Sequence, residues 1–132
     1  MIIKIDMKSE TALYEQLYNN VLWGIATGRL KQGEKMPTVR QLGIDLGINL
    51  HTVNKAYSLL KQKGYLSAHR NKGAVVNKKE FFIADKDFRE DIKSSLKPLV
   101  CECYARGMST DEMHIILQEI LEGIKAEAED KH

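Results

Sequence analysis

Two short amphipathic segments joined by a glycine turn constrain the fold of this chain more than any other feature. The first segment lies between Pro37 and Gly47, and the second lies between Asn49 and Gly64. Apolar residues recur in the second segment at helical spacing, namely Val53, Ala56, Tyr57 and Leu60. Asparagine favours the N-cap of a helix and glycine its carboxyl end, so the pattern predicts two helices joined by a tight turn.

The neighbouring segments predict the rest of a small domain. An apolar stripe over Thr11–Thr27 predicts a helix before the pair. After the pair, Tyr65–Ala68 and Ala74–Asn77 are strand candidates, joined by the polar run His69–Gly73. A helix-turn-helix followed by such a hairpin is a winged helix-turn-helix. We therefore expect a mostly α fold with a small β-hairpin wing.

The carboxyl-terminal part of the chain changes in composition near Lys79. One long helix is expected over Asp85–Arg106, and the capping-box spacing of Ser109 and Glu112 predicts another helix from about residue 109 onward. We therefore expect two regions. Residues 1–79 would form the winged helix-turn-helix DNA-binding domain, and residues 80–132 would form a helical dimerisation region.

The net charge of +2 conceals a division between these two regions. Residues 1–79 contain 13 Lys and Arg against 5 Asp and Glu, whereas residues 80–132 contain 7 against 13. The first region is thus suited to a polyanion such as nucleic acid, although charge alone is explained equally well by an unevenly solvated surface. No apolar run approaches the ~18 residues of a membrane span, and the amino terminus lacks a signal-peptide pattern, so a cytoplasmic location is expected.

The second helix of the pair can present side chains to DNA, because its apolar face is needed for packing. The residues that this leaves facing outward are Leu50, His51, Asn54, Lys55 and Ser58. Asn54 can form two hydrogen bonds with adenine, and Leu50 can touch a thymine methyl group. Lys55 and Thr52 are better placed for phosphates. Two alternatives stay open: His51 as a solvated cap residue, and Leu50 packed sideways on the wing.

A specific resemblance covers about half of the chain. It begins at Leu13-Tyr14-Glu15-Gln16, runs from Gly28 through Met36-Pro37-Thr38-Val39-Arg40-Gln41-Leu42, and continues through Leu46-Gly47, Thr52-Val53, Ala56-Tyr57, Gly64-Tyr65-Leu66 and Lys72-Gly73. In these residues the chain resembles the GntR family of bacterial regulators. The resemblance implies a winged helix-turn-helix transcriptional regulator, most simply a repressor that binds a pseudo-palindromic operator.

The resemblance also implies roles for single residues. Arg40 matches the family arginine that contacts the DNA backbone, and Thr38 lies at a preceding position that assists this contact. The positions implied to face bases are Leu50, His51 and Asn54, and those implied to form the wing are Arg70, Lys72 and Gly73. The wing tip is then expected in or over the minor groove.

Three features depart from the family pattern. Ile44 stands where a small alanine is usual, which we interpret as a matter of packing. Asn71 replaces a wing glycine and is expected to tolerate a positive φ angle. Leu50 and His51 are unusual residues at base-facing positions, so the operator sequence cannot be inferred from that of a relative.

The short second region resembles that of the YtrA-type subfamily, in which two helices serve dimerisation. The residues expected at the dimer interface are Leu96, Leu99, Val100, Cys103, Met113, Ile116, Leu117, Ile120, Leu121 and Ile124. Exposed together, these side chains would form a patch too large for a monomer, so we expect a homodimer. The expected partners are double-stranded DNA and a second copy of the chain. No membrane, cofactor or metal is expected, and any small-molecule effector is unknown.

An enzyme is disfavoured because the chain lacks a phosphate-binding glycine loop, a His-Glu-x-x-His motif and a nucleophile elbow. A nonspecific DNA-binding or protein-interaction winged-helix module is the main alternative. Cys101 and Cys103, with His114, could form a redox or metal site. Thiols two residues apart on a helix point ~200° apart, however, which favours packing.

Overall fold

The computed structural model describes residues 3–130, and these residues form two compact units. The first unit extends to Phe82, and the second covers Ile83–Asp130. The first unit contains α1 (Leu13–Ala26), α2 (Val39–Leu46), α3 (Leu50–Gln62), β1 (Leu66–His69), β2 (Gly73–Val76) and a short 3-10 helix (Lys79–Phe82). The second contains α4 (Lys86–Ala105) and α5 (Thr110–Asp130). The expected mostly α fold with a β-hairpin wing is confirmed.

Side-chain caps set the starts of the two helices of the helix-turn-helix. The Thr38 hydroxyl accepts a hydrogen bond from the Gln41 backbone N–H at 3.0 Å, at the start of α2. The Asn49 side chain accepts one from the His51 N–H at 2.8 Å, at the start of α3. Gly47 ends α2 with a φ of +68°, a conformation that glycine adopts without strain. The predicted pair of helices and their capping residues are thereby confirmed.

The core of the first unit lies where α1 and α2 pack on α3 and the hairpin covers its end. The apolar face predicted for α3 is fully buried there. The buried residues of the cluster are Leu17, Val21, Leu30, Met36, Leu42, Val53, Ala56, Tyr57, Leu60, Leu66 and Val76. Because one face of α3 is committed to this core, its opposite face is held outward in a defined orientation.

The interpretation of Ile44 as a matter of packing is wrong. Its side chain is 68% exposed, so its size is not restricted by neighbours. The tight position is the adjacent Gly43, where a Cβ atom would lie 3.1 Å from the Ile48 carbonyl oxygen. The close approach of α2 to the following turn therefore depends on Gly43.

The hairpin forms one residue later than predicted at its first strand and one residue earlier at its second. β1 and β2 pair antiparallel, with Leu66 opposite Val76 and His69 opposite Gly73. Asn71 does not use the positive φ that it was expected to tolerate, because no residue other than glycine has a positive φ within residues 3–130. Gly73, with a φ of +72°, supplies that conformation in the turn instead.

The segment after the hairpin is anchored to the end of α3. A Cβ atom at Gly64 would lie 2.5 Å from the Phe81 carbonyl oxygen, so only glycine permits this approach. The rings of Tyr65 and Phe82 lie 5.1 Å apart between centroids, and the Asn77 amide donates to the Gly64 carbonyl at 2.8 Å. These contacts explain why the first unit extends as far as Phe82.

The second unit consists of two helices whose apolar residues are exposed. The predicted capping box at the start of α5 is present: the Glu112 N–H donates to the Ser109 hydroxyl at 3.1 Å, and the Ser109 N–H donates to the Glu112 carboxylate at 3.3 Å. No residue of Lys86–Ala105 or Thr110–Asp130 is buried. Among the residues described, no helix is long and apolar enough to cross a membrane.

Candidate nucleic-acid interface

The outward face of α3 carries the side chains that the sequence indicated. All five of these residues are exposed, namely Leu50, His51, Asn54, Lys55 and Ser58. Leu50 is 41% exposed, and Thr52 is half-buried. An exposed, mostly polar helix face opposite a fully apolar one is the arrangement that a helix needs to enter a major groove.

Arg40 lies on the exposed side of α2, in the first turn after the Thr38 cap. Packing of α2 on α3 places Arg40 on an element adjacent to the outward face of α3. No carboxylate within residues 3–130 forms an ion pair with Arg40, Arg70 or Lys72. Their charges are therefore available to an external anion.

The wing presents a basic tip. Arg70, Lys72 and Gly73 are exposed at the turn between β1 and β2. A third segment, around Lys35, pairs with β2. Lys35 lies opposite Val75, and the Met36 N–H donates a hydrogen bond to the Ala74 carbonyl at 2.8 Å. This third segment fixes the hairpin to the body of the unit, so the tip is carried on a supported element.

Two kinds of contact in this part of the structure were missed by the sequence interpretation. The first holds Lys55, whose Nζ atom lies 4.0 Å from the centre of the Tyr14 ring on α1. A second lysine of the same region, Lys63, has its Nζ atom 5.2 Å from the Tyr18 ring. Such contacts stabilise a cation beside an aromatic face. Their partners lie about 40 residues apart in the chain, and no local spacing could have indicated them.

The second missed contact joins the buried side of α3 to the start of α2. The Tyr57 hydroxyl donates a hydrogen bond to the Pro37 carbonyl at 2.7 Å, and the Tyr57 side chain is 1% exposed. Pro37 directly precedes the Thr38 cap. Tyr57 therefore ties the amino-terminal end of the helix that carries Arg40 to the helix that carries Asn54.

Removing this hydroxyl in Tyr57→Phe is expected to lower the free energy of unfolding by about 1–2 kcal/mol, because the Pro37 carbonyl loses its partner.

Burial raises the pKa of Tyr57 above its ordinary value of 10.0. The unfolded chain then loses the phenol proton first, so stability should fall as pH rises above about 10. Urea denaturation as a function of pH measures both effects. An equally steep fall in the phenylalanine variant would contradict the assignment to Tyr57.

Groups suited to other chemistry do not assemble in the described part of the chain. Within residues 3–130 no three His, Cys, Asp or Glu side chains lie close enough together to hold a metal ion. Cys101 is a free, exposed thiol and Cys103 is a free, half-buried one, both on α4. α2, α3 and the wing instead build a surface that combines polar and cationic side chains.

Comparisons with known proteins agree with this geometry. Residues 13–76 match the family model for bacterial regulatory proteins of the gntR family. The chain is 29% identical to the HTH-type transcriptional repressor YtrA of Bacillus subtilis (strain 168), over 94% of this chain and 95% of that relative. It is also similar to the solved structure of YtrA from Sulfolobus acidocaldarius, a GntR-family transcription factor. That match has 36% identity, a TM-score of 0.59, and covers 74% of this chain and 99% of the other.

A third similarity concerns the fold alone. The crystal structure titled as a transcriptional antiterminator from Listeria monocytogenes EGD-e has a TM-score of 0.87 at 23% identity, covering 94% of this chain and 92% of that one. The expected resemblance to YtrA-type regulators is confirmed by the first two proteins. The chain belongs to the GntR family of bacterial regulatory proteins and is a winged helix-turn-helix transcriptional regulator.

Proposed function

We propose that the protein is a dimeric transcriptional repressor that binds a pseudo-palindromic operator in double-stranded DNA. The observation that carries the proposal is the exposed polar face of α3, flanked by Arg40 on α2 and the basic wing tip. The Bacillus subtilis relative is named as a repressor, which supports repression as the outcome. Repression would follow from occupation of a promoter.

The DNA-binding residues divide into two sets. Asn54, with Leu50, His51 and Ser58 beside it on α3, would contact base edges in the major groove. The residues that would contact the sugar-phosphate backbone or the minor groove are Thr38, Arg40, Thr52, Lys55, Arg70, Lys72 and Gly73. Contacts of the first set determine sequence preference, whereas the cationic members of the second determine affinity and its dependence on salt.

Dimerisation is proposed from the surface of the second unit. On α4, Leu96, Leu99, Val100 and Cys103 recur at i, i+3, i+4 and i+7 spacing, and all four are exposed or half-buried. The corresponding residues of α5 are Met113, Ile116, Leu117, Ile120, Leu121 and Ile124, which are also exposed or half-buried. Apolar stripes of this length are covered in stable proteins, and a second copy of the chain offers matching stripes.

A twofold dimer would present two winged helix-turn-helix domains to one face of DNA, with half-sites about one helical turn, or ~34 Å, apart.

Selection of random duplex DNA on the purified full chain, at physiological salt, tests the proposal. We expect enrichment of an inverted repeat with half-sites about one turn apart. Failure to enrich any sequence, with binding that disappears as salt rises, would contradict it. That result would instead indicate a nonspecific or protein-interaction module.

Arg40→Ala is expected to weaken binding to all duplexes alike by about 1–3 kcal/mol, because a charge-assisted hydrogen bond to a phosphate is lost. The slope of log affinity against log salt should decrease by about 1. Fluorescence anisotropy over a salt series measures both. Lys93→Ala on α4 removes one exposed positive charge in the second unit and is the control. Unchanged affinity and slope in Arg40→Ala would show that α2 does not contact the DNA backbone.

A further inference from the structure

A groove of about 840 Å³ lies beside the hairpin of the first unit. Residues of both strands line it, among them the paired residues Ser67 and Val75 and the paired residues Leu66 and Val76. Val75 is only 5% exposed, so the apolar floor of the groove is firmly packed. The groove is confined to the first unit.

The rim of the groove is positively charged. Its ionisable lining residues are Lys61 at the end of α3, His69 and Lys72 on the wing, and Lys78 after β2. No Asp or Glu lines the groove among the described residues, and none of the three lysines forms an ion pair within residues 3–130. Because like charges meet there without compensation, the groove attracts an anion.

An aromatic ring completes one wall. Phe81 is 64% exposed and lines the groove next to Lys78. Its backbone is held close to Gly64, and the neighbouring Phe82 ring packs on Tyr65, so Phe81 belongs to an anchored segment. An anchored, exposed ring offers a surface on which a second planar ring can stack.

We propose that this groove binds a small aromatic anion, a planar ring bearing phosphate or carboxylate. The ring stacks on Phe81, and the anionic group is held by Lys78 and Lys61. Lys72 lines the groove and is also one of the wing residues proposed to contact DNA, so a ligand in the groove competes with DNA for this side chain. This regulatory consequence rests on the proposed DNA-binding function, whereas ligand binding itself does not.

The probe is 1-naphthyl phosphate, added to the ¹⁵N-labelled full chain without DNA at constant ionic strength. We expect NMR shifts confined to the groove residues at the end of α3, on β1 and β2, and in the segment after β2. Lys78→Ala and Phe81→Ala should each raise the dissociation constant by roughly tenfold, since one loses the charge-assisted bond and the other the stacked ring. Lys79→Ala and Ile83→Ala are the matched controls and should bind the probe as the parent protein does.

Three results would overturn the ligand site. They are unchanged binding in Lys78→Ala and Phe81→Ala, shifts centred on α4 and α5 instead of the groove, and equal affinity for inorganic phosphate, which would show that the ring contributes nothing.

Operator binding is then measured with the probe at saturation, and a loss of affinity for DNA is expected. If the probe binds but affinity for a selected operator does not change, the regulatory role is wrong while the site stands. If no operator is selected at all, the DNA-binding function fails independently.

Discussion

Leu96→Glu combined with Ile120→Glu is expected to make the protein monomeric and to weaken binding to the full operator by about 10²–10⁴-fold. The two side chains are 50% and 54% exposed on α4 and α5, so the substitutions do not disturb a core within the described chain. In a dimer they would place carboxylates in an apolar interface, where burial of a charge without a partner is strongly unfavourable. Each monomer would then bind one half-site, without the affinity that a second, linked DNA-binding domain adds.

Analytical ultracentrifugation and fluorescence anisotropy with one-half-site and two-half-site duplexes measure the two effects. Ser94→Glu combined with Gln118→Glu adds the same charge on the polar sides of the same helices and serves as the control. A double glutamate variant that stays dimeric would show that these stripes are not the interface. A monomer that keeps full affinity for the two-half-site duplex would show that dimerisation does not support DNA binding.

Asn54→Ala is expected to relax sequence preference at one position of each half-site by about 1–3 kcal/mol, while affinity for unrelated DNA stays nearly constant. The amide of Asn54 is exposed on α3 and can donate to and accept from one adenine, whereas a methyl group can do neither. The loss therefore concerns discrimination between bases and not general attraction to phosphates. This separates Asn54 from Arg40, whose removal should weaken every sequence.

The measurement is binding to a set of duplexes in which each base pair of the half-site is changed in turn. Gln62→Ala, at the carboxyl end of the same helix and also exposed, is the control and should leave the profile unchanged. A uniform loss of affinity in Asn54→Ala, with the base profile intact, would reassign this side chain to the DNA backbone.

Local signals predicted the helices well because each one is marked by its own sequence. Thr38, Asn49 and Ser109 are capping residues whose hydrogen bonds reach only two or three residues along the chain. The apolar face of α3 follows from helical periodicity alone. The strands were less well predicted, because their limits depend on pairing between β1 and β2 and with the segment around Lys35.

The backbone conformation of Asn71 was also decided by the pairing of the strands. The turn has the conformation that suits the paired strands, and Gly73 provides the positive φ there. Ile44 was misjudged because its exposure depends on which side of α2 faces α3, with Gly43 at the close approach. Neither outcome can be read from residue type alone.

The amino-acid sequence by itself determined the order of the elements, the buried and outward faces of α3, and the family to which the chain belongs. These depend on periodicity, capping and spacing, which are properties of neighbouring residues. Only the tertiary structure decided that Tyr57 bonds to Pro37, that Lys55 lies over Tyr14, and that Lys61, Lys72 and Phe81 share one groove. The physical reason is that these contacts join segments far apart in sequence, and their geometry exists only after the core has packed.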